Sequence, residues 1–134
     1  DYILIDCPPS LGMLTINAFT ASDGIIVPMQ CEFYALEGLS QLMITINRIK
    51  RMYNPDLNVS GILITMYNAR LLLSMQVMAE LKKHYADKLF STTIARNVRL
   101  SEAPSYGEPI HYYDKHAKGA ADYSKIAEEI MERI

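Results

Sequence analysis

Tryptophan is absent from this sequence, cysteine occurs only twice among its 134 residues, and no apolar run is long enough to cross a bilayer. A transmembrane helix needs about 20 consecutive apolar residues, so no helical span is expected. Cys7 and Cys31 form no C-x-x-C pair, and His84, His111 and His116 fall at no zinc-ligand spacing. That combination predicts two reduced thiols rather than a disulfide or a metal centre. No excess of positive charge is present either: 13 basic residues face 15 acidic ones, a formal net charge of −2. A protein that coats nucleic acid by bulk charge is thereby excluded, while a local basic patch is still allowed. The six glycines (12, 24, 38, 61, 107 and 119) are scattered and make no run that could cradle a phosphate. The chain opens Asp-Tyr-Ile-Leu-Ile-Asp, with no basic stretch of the kind that begins a signal peptide. An apolar run starting at the second residue predicts a piece of a larger sheet protein, with an apolar edge left uncovered.

What is present alternates. Half of the residues are hydrophobic and 21% are charged, the balance of one globular domain over residues 1–134. Tyr2–Ile5, Ile25–Val27 and Val59–Thr65 are short continuous apolar runs, as expected of strands covered on both faces. Leu89–Ile94 is a weaker fourth. Helical patterns lie between and after them. A short helix is expected over Leu11–Ala21. Leu36, Leu39, Leu42, Met43, Ile46 and Ile49 make one apolar stripe, stopped by Asn54-Pro55. Met75, Met78, Leu81 and Tyr85 make a second; Tyr123, Ile126, Ala127, Ile130, Met131 and Ile134 make a third. Strand and helix in alternation imply an α/β fold with a parallel sheet between helical layers. Sites in such sheets lie at the carboxyl ends of the strands, here Asp6–Ser10, Pro28–Tyr34, Met66–Arg70 and Ala95–Ser105.

Asp6 ends an apolar run, where a carboxylate is costly unless a cation or hydrogen-bond donors meet it. From this stretch alone it reads equally as a magnesium-shell ligand or as a helix cap. Arg96-Asn97-Val98-Arg99 carries two arginines without an acid between them, and Arg70 follows the third strand at the same edge. The three could form a discontinuous anion-facing patch, or the loops could simply be solvated. The last helix sets Lys118, Lys125 and Arg133 against Asp122, Glu128, Glu129 and Glu132. That is the wrong balance for an anionic membrane surface, and it predicts a packed apolar side with a solvated charged face.

Taken together, DYILIDCPPSLGMLTINAFTASDGIIVPMQCEFYALEGLSQL, GILITMYNAR, RNVRLSEAPSYGEPI and KGAADY resemble the ParA/Soj family of chromosome- and plasmid-partitioning ATPases, end to end and in that family's order. The resemblance implies the C-terminal half of a deviant Walker A P-loop fold, from the Walker B strand onward, within a three-layer parallel sheet. It implies a cytoplasmic, nucleoid-associated ATPase that takes ATP and Mg2+ and forms ATP-dependent homodimers. Non-specific DNA binding and stimulation by a ParB/Spo0J-type centromere-binding partner are implied as well. Asp6 corresponds to the Walker B aspartate, acting on magnesium through water. Ala95, Asn97 and Met66 correspond to the adenine side, and Arg70 and Arg99 to DNA-contacting positions. No G-x-x-x-x-G-K-S/T run is present, so the chain alone is not expected to hydrolyse ATP. Ala95 stands where the family usually has Pro, and Leu71-Leu72 follows Arg70 where it usually has a polar pair. Arg99 is therefore expected to carry more of the DNA contact than Arg70. The alternatives are a MinD-like division-site ATPase, disfavoured by the last helix, and a non-enzymatic DNA-binding or interaction module sharing the half-fold.

Overall fold

The structure is a computed structural model and describes residues 1–134. Its sheet is built on two strands, β1 (Gly24–Gln30) and β2 (Asn58–Thr65), paired in parallel from Gly24 opposite Asn58 to Gln30 opposite Thr65. Both are dominated by Ile, Val and Leu, which fill a pleated surface covered on both sides. Parallel neighbours need a crossover, and here helix α2 (Ala35–Met52) supplies it. The stripe legible in the sequence is the face α2 buries: Leu39, Ile46 and Ile49 lie in the core, with Leu36, Leu42 and Met43 packed against them. Asn54 ends this helix and does a second job. Its amide donates to the Phe19 and Ser22 carbonyls (3.1 and 2.8 Å), tethering the end of α1 (Met13–Ala21).

An irregularity between Ile25 and Ile26 sets Ile25 opposite Val59 but Ile26 opposite Gly61. The extra residue, Ser60, shifts the alternation of β2 by one. Val59, Ile62 and Ile64 then join the layer made by α1, α2 and α3 (Leu72–His84). Leu63 points to the other face, where Phe90, Ile94 and Ile126 of α6 (Lys118–Arg133) cover it. Helices on both faces of a parallel sheet are the layering the alternating pattern predicts.

Two of the four expected strands are not regular strands. Tyr2–Ile5 pairs with nothing, and Ile3 and Leu4 are 90% and 85% exposed. An extended run becomes a strand only when a neighbour takes its amides and carbonyls, and no segment lies beside this one. The loop that follows it is held by Thr15, whose hydroxyl donates to the Ser10 carbonyl at 2.7 Å. Leu89–Ile94 does run beside β2 without forming a regular strand: it bridges Ile62 at Leu89, donates the Ile94 amide to the Ile64 carbonyl at 2.9 Å, and bridges Tyr67, just past the end of β2, at Ala95. Between those bridges the Ser91 and Thr92 amides are captured by the Glu129 carboxylate, which interrupts the ladder.

Helix faces shift as well. The short helix begins at Met13 rather than Leu11. α3 buries Ser74, Val77 and Leu81, and leaves Met75 exposed. On α6 only Ile126 of the expected stripe is fully buried, while Tyr123, Met131 and Ile134 face solvent. Its inward face carries charge. Lys118, Lys125, Glu128 and Glu132 are exposed, as a solvated charged face requires, but Asp122, Glu129 and Arg133 instead reach the backbone of residues 88–95. Asp122, Ile126, Glu129 and Arg133 recur at the i, i+4, i+7, i+11 spacing of a single helix face. The stripe was there, written partly in charged residues.

Candidate functional site

The carboxyl ends of β2 and of the 88–95 segment meet at the Tyr67–Ala95 bridge, and most of the candidate residues gather there. Tyr67 donates its amide to the Ile94 carbonyl at 2.9 Å. Just before it, Met66 has φ +49°, the only residue other than glycine in the left-handed region. For an L-residue that conformation costs roughly 1–2 kcal/mol, and such strain collects where a fold positions a functional loop. The Met66 side chain is exposed at this edge. Asn68 then turns the chain, its Oδ1 accepting the Arg70 amide at 3.0 Å. Arg70 projects into solvent and makes no ion pair.

The second arm of the edge is fixed from beneath. The Ala95 amide donates to Asp122 Oδ2 at 3.1 Å, and Asp122 is buried. Arg96 follows, exposed and without an ion pair. Asn97 caps the short helix α4 (Val98–Glu102), its Oδ1 accepting the Arg99 amide at 2.8 Å. That is the usual reason for Asn at such a position.

Arg99 differs from the other two arginines. Its guanidinium donates to Glu102 at 2.9 Å and lies 3.5 Å from Asp114, just beyond helix α5 (Ile110–Tyr113). The Tyr113 hydroxyl donates to the same Glu102 oxygen at 3.1 Å, and the Tyr113 ring stacks on Tyr106. The hydrogen bond and charge of Glu102, followed by Tyr113, hold the Arg99 guanidinium above its ordinary pKa. Burial, then Glu102, pushes the Tyr113 phenol up. The sequence showed two arginines with no acid between them; the fold supplies two acids from the C-terminal side.

Asp6 stands apart. It lies on the unpaired N-terminal segment, exposed, with no hydrogen bond or ion pair to any of these residues. No three His, Cys, Asp or Glu side chains come together as a metal cluster. Magnesium bound next to phosphates needs only one or two carboxylates and keeps several waters. The uncommitted Asp6 carboxylate suits one such place.

An open groove of about 650 Å³ lies at the carboxyl end of β1, lined by Val27, Met29, Phe33, Tyr34, Leu39 and Leu42 among others. Phe33 and Tyr34 meet edge to face at 5.0 Å and are both 74% exposed. The strand-end rule pointed to this loop, but not to its apolar character.

Residues 1–59 match a family model described as an AAA domain. The sporulation initiation inhibitor protein Soj of Bacillus subtilis is 56% identical over 97% of this chain and 51% of its own length. The chromosome partitioning protein ParA of Caulobacter vibrioides is 52% identical over 98% of the chain and 49% of itself. The chromosome-partitioning ATPase Soj of Thermus thermophilus is 48% identical over the whole chain and 54% of itself. The chain thus spans about half the length of the curated relatives it matches. Among solved structures, cobyrinic acid a,c-diamide synthase from Mycobacterium smegmatis superposes with a TM-score of 0.73 at 33% identity, covering 94% of this chain and 44% of that one. A form of the same enzyme with bound ATP analog and magnesium aligns over 60% of this chain and 32% of that one, with a TM-score of 0.54 and 44% identity.

Proposed function

The chain belongs to the ParA/Soj family of chromosome-partitioning ATPases, and from that premise we propose that residues 1–134 are the C-terminal portion of one ATPase domain that holds DNA non-specifically. The complete protein works as an ATP-dependent homodimer in the cytoplasm on the nucleoid, stimulated by a ParB/Spo0J-type partner. ATP and Mg2+ supply the phosphoryl chemistry. This chain supplies part of their surroundings but no phosphate-cradling loop, and it is inactive alone. The observation that carries the reading is the gathering of Met66, Arg70, Ala95, Arg96, Asn97 and Arg99 at one edge of a parallel sheet, the edge where such folds bind their ligands.

The residues divide the work. Met66 and the Ala95–Asn97 turn form the adenine side. Asn97 has committed its Oδ1 to the helix cap, which leaves its Nδ2 amide to donate to a base acceptor. Asp6 orients water in the magnesium shell. In the complete protein, Asp6→Ala lowers ATP hydrolysis stimulated by DNA and partner at least tenfold, the scale of one modest transition-state interaction (about 1.4 kcal/mol), with little change in DNA affinity. Steady-state turnover with and without DNA measures it; unchanged turnover makes Asp6 a loop residue.

Arg70 and Arg96 present free guanidinium groups to a phosphate backbone. The sequence setting put Arg99 ahead of Arg70, but its two ion pairs must open before it reaches a phosphate, which moves Arg70 to the front. Arg70→Ala weakens binding alike on every duplex sequence, and flattens the log–log salt dependence by about 0.9 per lost phosphate contact, counted twice in a dimer. Fluorescence anisotropy on random duplex DNA at several salt concentrations is the test. Parental affinity and slope in both Arg70→Ala and Arg96→Ala would reduce this edge to a solvated surface.

A further inference from the structure

We propose that Glu102 and Asp114 are an internal stand-in for phosphate that holds Arg99 back, so that DNA engages this arginine only by displacing them. The proposal rests on the DNA-binding reading above and adds its regulation.

Three arginines share this edge, and only one is occupied. Arg70 and Arg96 have no acidic partner, whereas Arg99 meets Glu102 at 2.9 Å through Nη1 and Asp114 at 3.5 Å through Nε. Carboxylate oxygens at the guanidinium edge occupy the positions that phosphate oxygens take in a nucleic-acid contact. Both acids are held in place by their surroundings. Glu102 accepts the Tyr113 hydroxyl at 3.1 Å, and Asp114 accepts the His116 amide at 3.1 Å through its other oxygen. Arg99 is in turn tied by its own amide to Asn97. Glu102 and Asp114 are thus held near Arg99 by contacts additional to the ion pairs themselves.

The contact is also weak enough to yield. Side-chain exposure is 55% for Arg99, 38% for Glu102 and 32% for Asp114, so water screens the pairs. An exposed pair of this kind shifts an equilibrium by roughly one- to fivefold. A phosphate backbone, with its dense charge, competes successfully at low salt and less well as salt rises. The device is a brake on DNA affinity, suited to a protein that must release non-specific DNA as readily as it binds it.

The test is a cycle of variants of the complete protein, read by anisotropy on random duplex DNA across several salt concentrations. Glu102→Gln removes the charge while keeping a hydrogen-bond acceptor for Tyr113; Asp114→Asn does the same for the His116 amide. The double variant is expected to bind about threefold to fivefold more tightly, with a salt slope steeper by up to about 0.9 per subunit. The gain should disappear when Arg99→Ala is added. A gain that persists without Arg99 would be general charge removal and would overturn the proposal. No gain, in protein that still loses affinity on Arg70→Ala, would overturn the proposal and leave the DNA reading standing. No gain together with no effect of Arg70→Ala would remove both. Should the double variant unfold, Asp114→Asn alone removes one of the two ion pairs, and a smaller Arg99-dependent gain is expected from it; no gain there also counts against the brake.

Discussion

Glu129→Ala is expected to destabilise the fold by about 3 kcal/mol, roughly the worth of one or two hydrogen bonds to a charged group. Glu129 Oε1 accepts the Ser91 amide at 2.6 Å, and Oε2 accepts the Ser91 hydroxyl and the Thr92 amide at 3.0 Å each. It also pairs with Arg133 at 3.3 Å, and only 15% of its side chain is exposed. Arg133 continues the clamp by donating to the Lys88 and Leu89 carbonyls and lying over the Phe90 ring. Removing the carboxylate leaves two amides without acceptors and a half-buried guanidinium without its anion. Urea denaturation with the slope held fixed measures the loss.

The same residue makes a pH prediction. Burial alone would raise the Glu129 pKa, but the hydrogen bonds from Ser91 and Thr92 together outweigh it and hold the carboxyl below its ordinary value. A group depressed in the folded state binds fewer protons there than in the unfolded chain. Its stabilisation is complete above the unfolded glutamate value of about 4.3 and is lost as pH falls through the lower folded value. The stability gap between parent and Glu129→Ala should therefore narrow as pH falls from 7 to below about 4.3. Parallel curves across that range would show that Glu129 does not titrate as described.

Gly61→Val should be about as damaging, near 3 kcal/mol, and Gly61→Ala somewhat less, within the range of core overpacking. A Cβ at Gly61 would run into the Phe90 ring, meeting Cε2 and Cζ and coming within 2.8 Å of Cδ2. Phe90 is 4% exposed and has Arg133 stacked 4.4 Å from its centroid, so the ring has little room to swing. Gly61 follows the irregularity at Ser60 but has no left-handed φ, so the glycine is required by close approach rather than by an unusual φ. Thermal unfolding of both variants is the measurement. A Gly61→Ala protein as stable as the parent would mean that the ring moves. A Phe90→Leu change added to it should restore part of the loss. Both perturbations act on the segment that ends at Ala95 and Asn97, so a weakened clamp should also loosen the candidate adenine side.

Much of this was legible locally. The α2 stripe and its Asn54-Pro55 stop and the apolar runs of β1 and β2 all follow from neighbours within one or two turns, and the structure has each of them. The quoted motifs carried the family likewise, because they are contiguous in the chain. Other features depended on what lies across the fold. Tyr2–Ile5 has the composition of a strand, but pairing is a property of two segments, and the second is not beside it. Asp122 and Glu129 read as surface charge on a helix until packing sets them against amides 27, 37 and 38 residues away. Arg99 lies in a stretch with no acid between its arginines, yet α4 and the end of α5 bring Glu102 and Asp114 against it. Periodicity and propensity are written in interactions between residues close along the chain. Which charge meets which amide or guanidinium is decided by helix placement on the sheet, and only the closed tertiary structure fixes that.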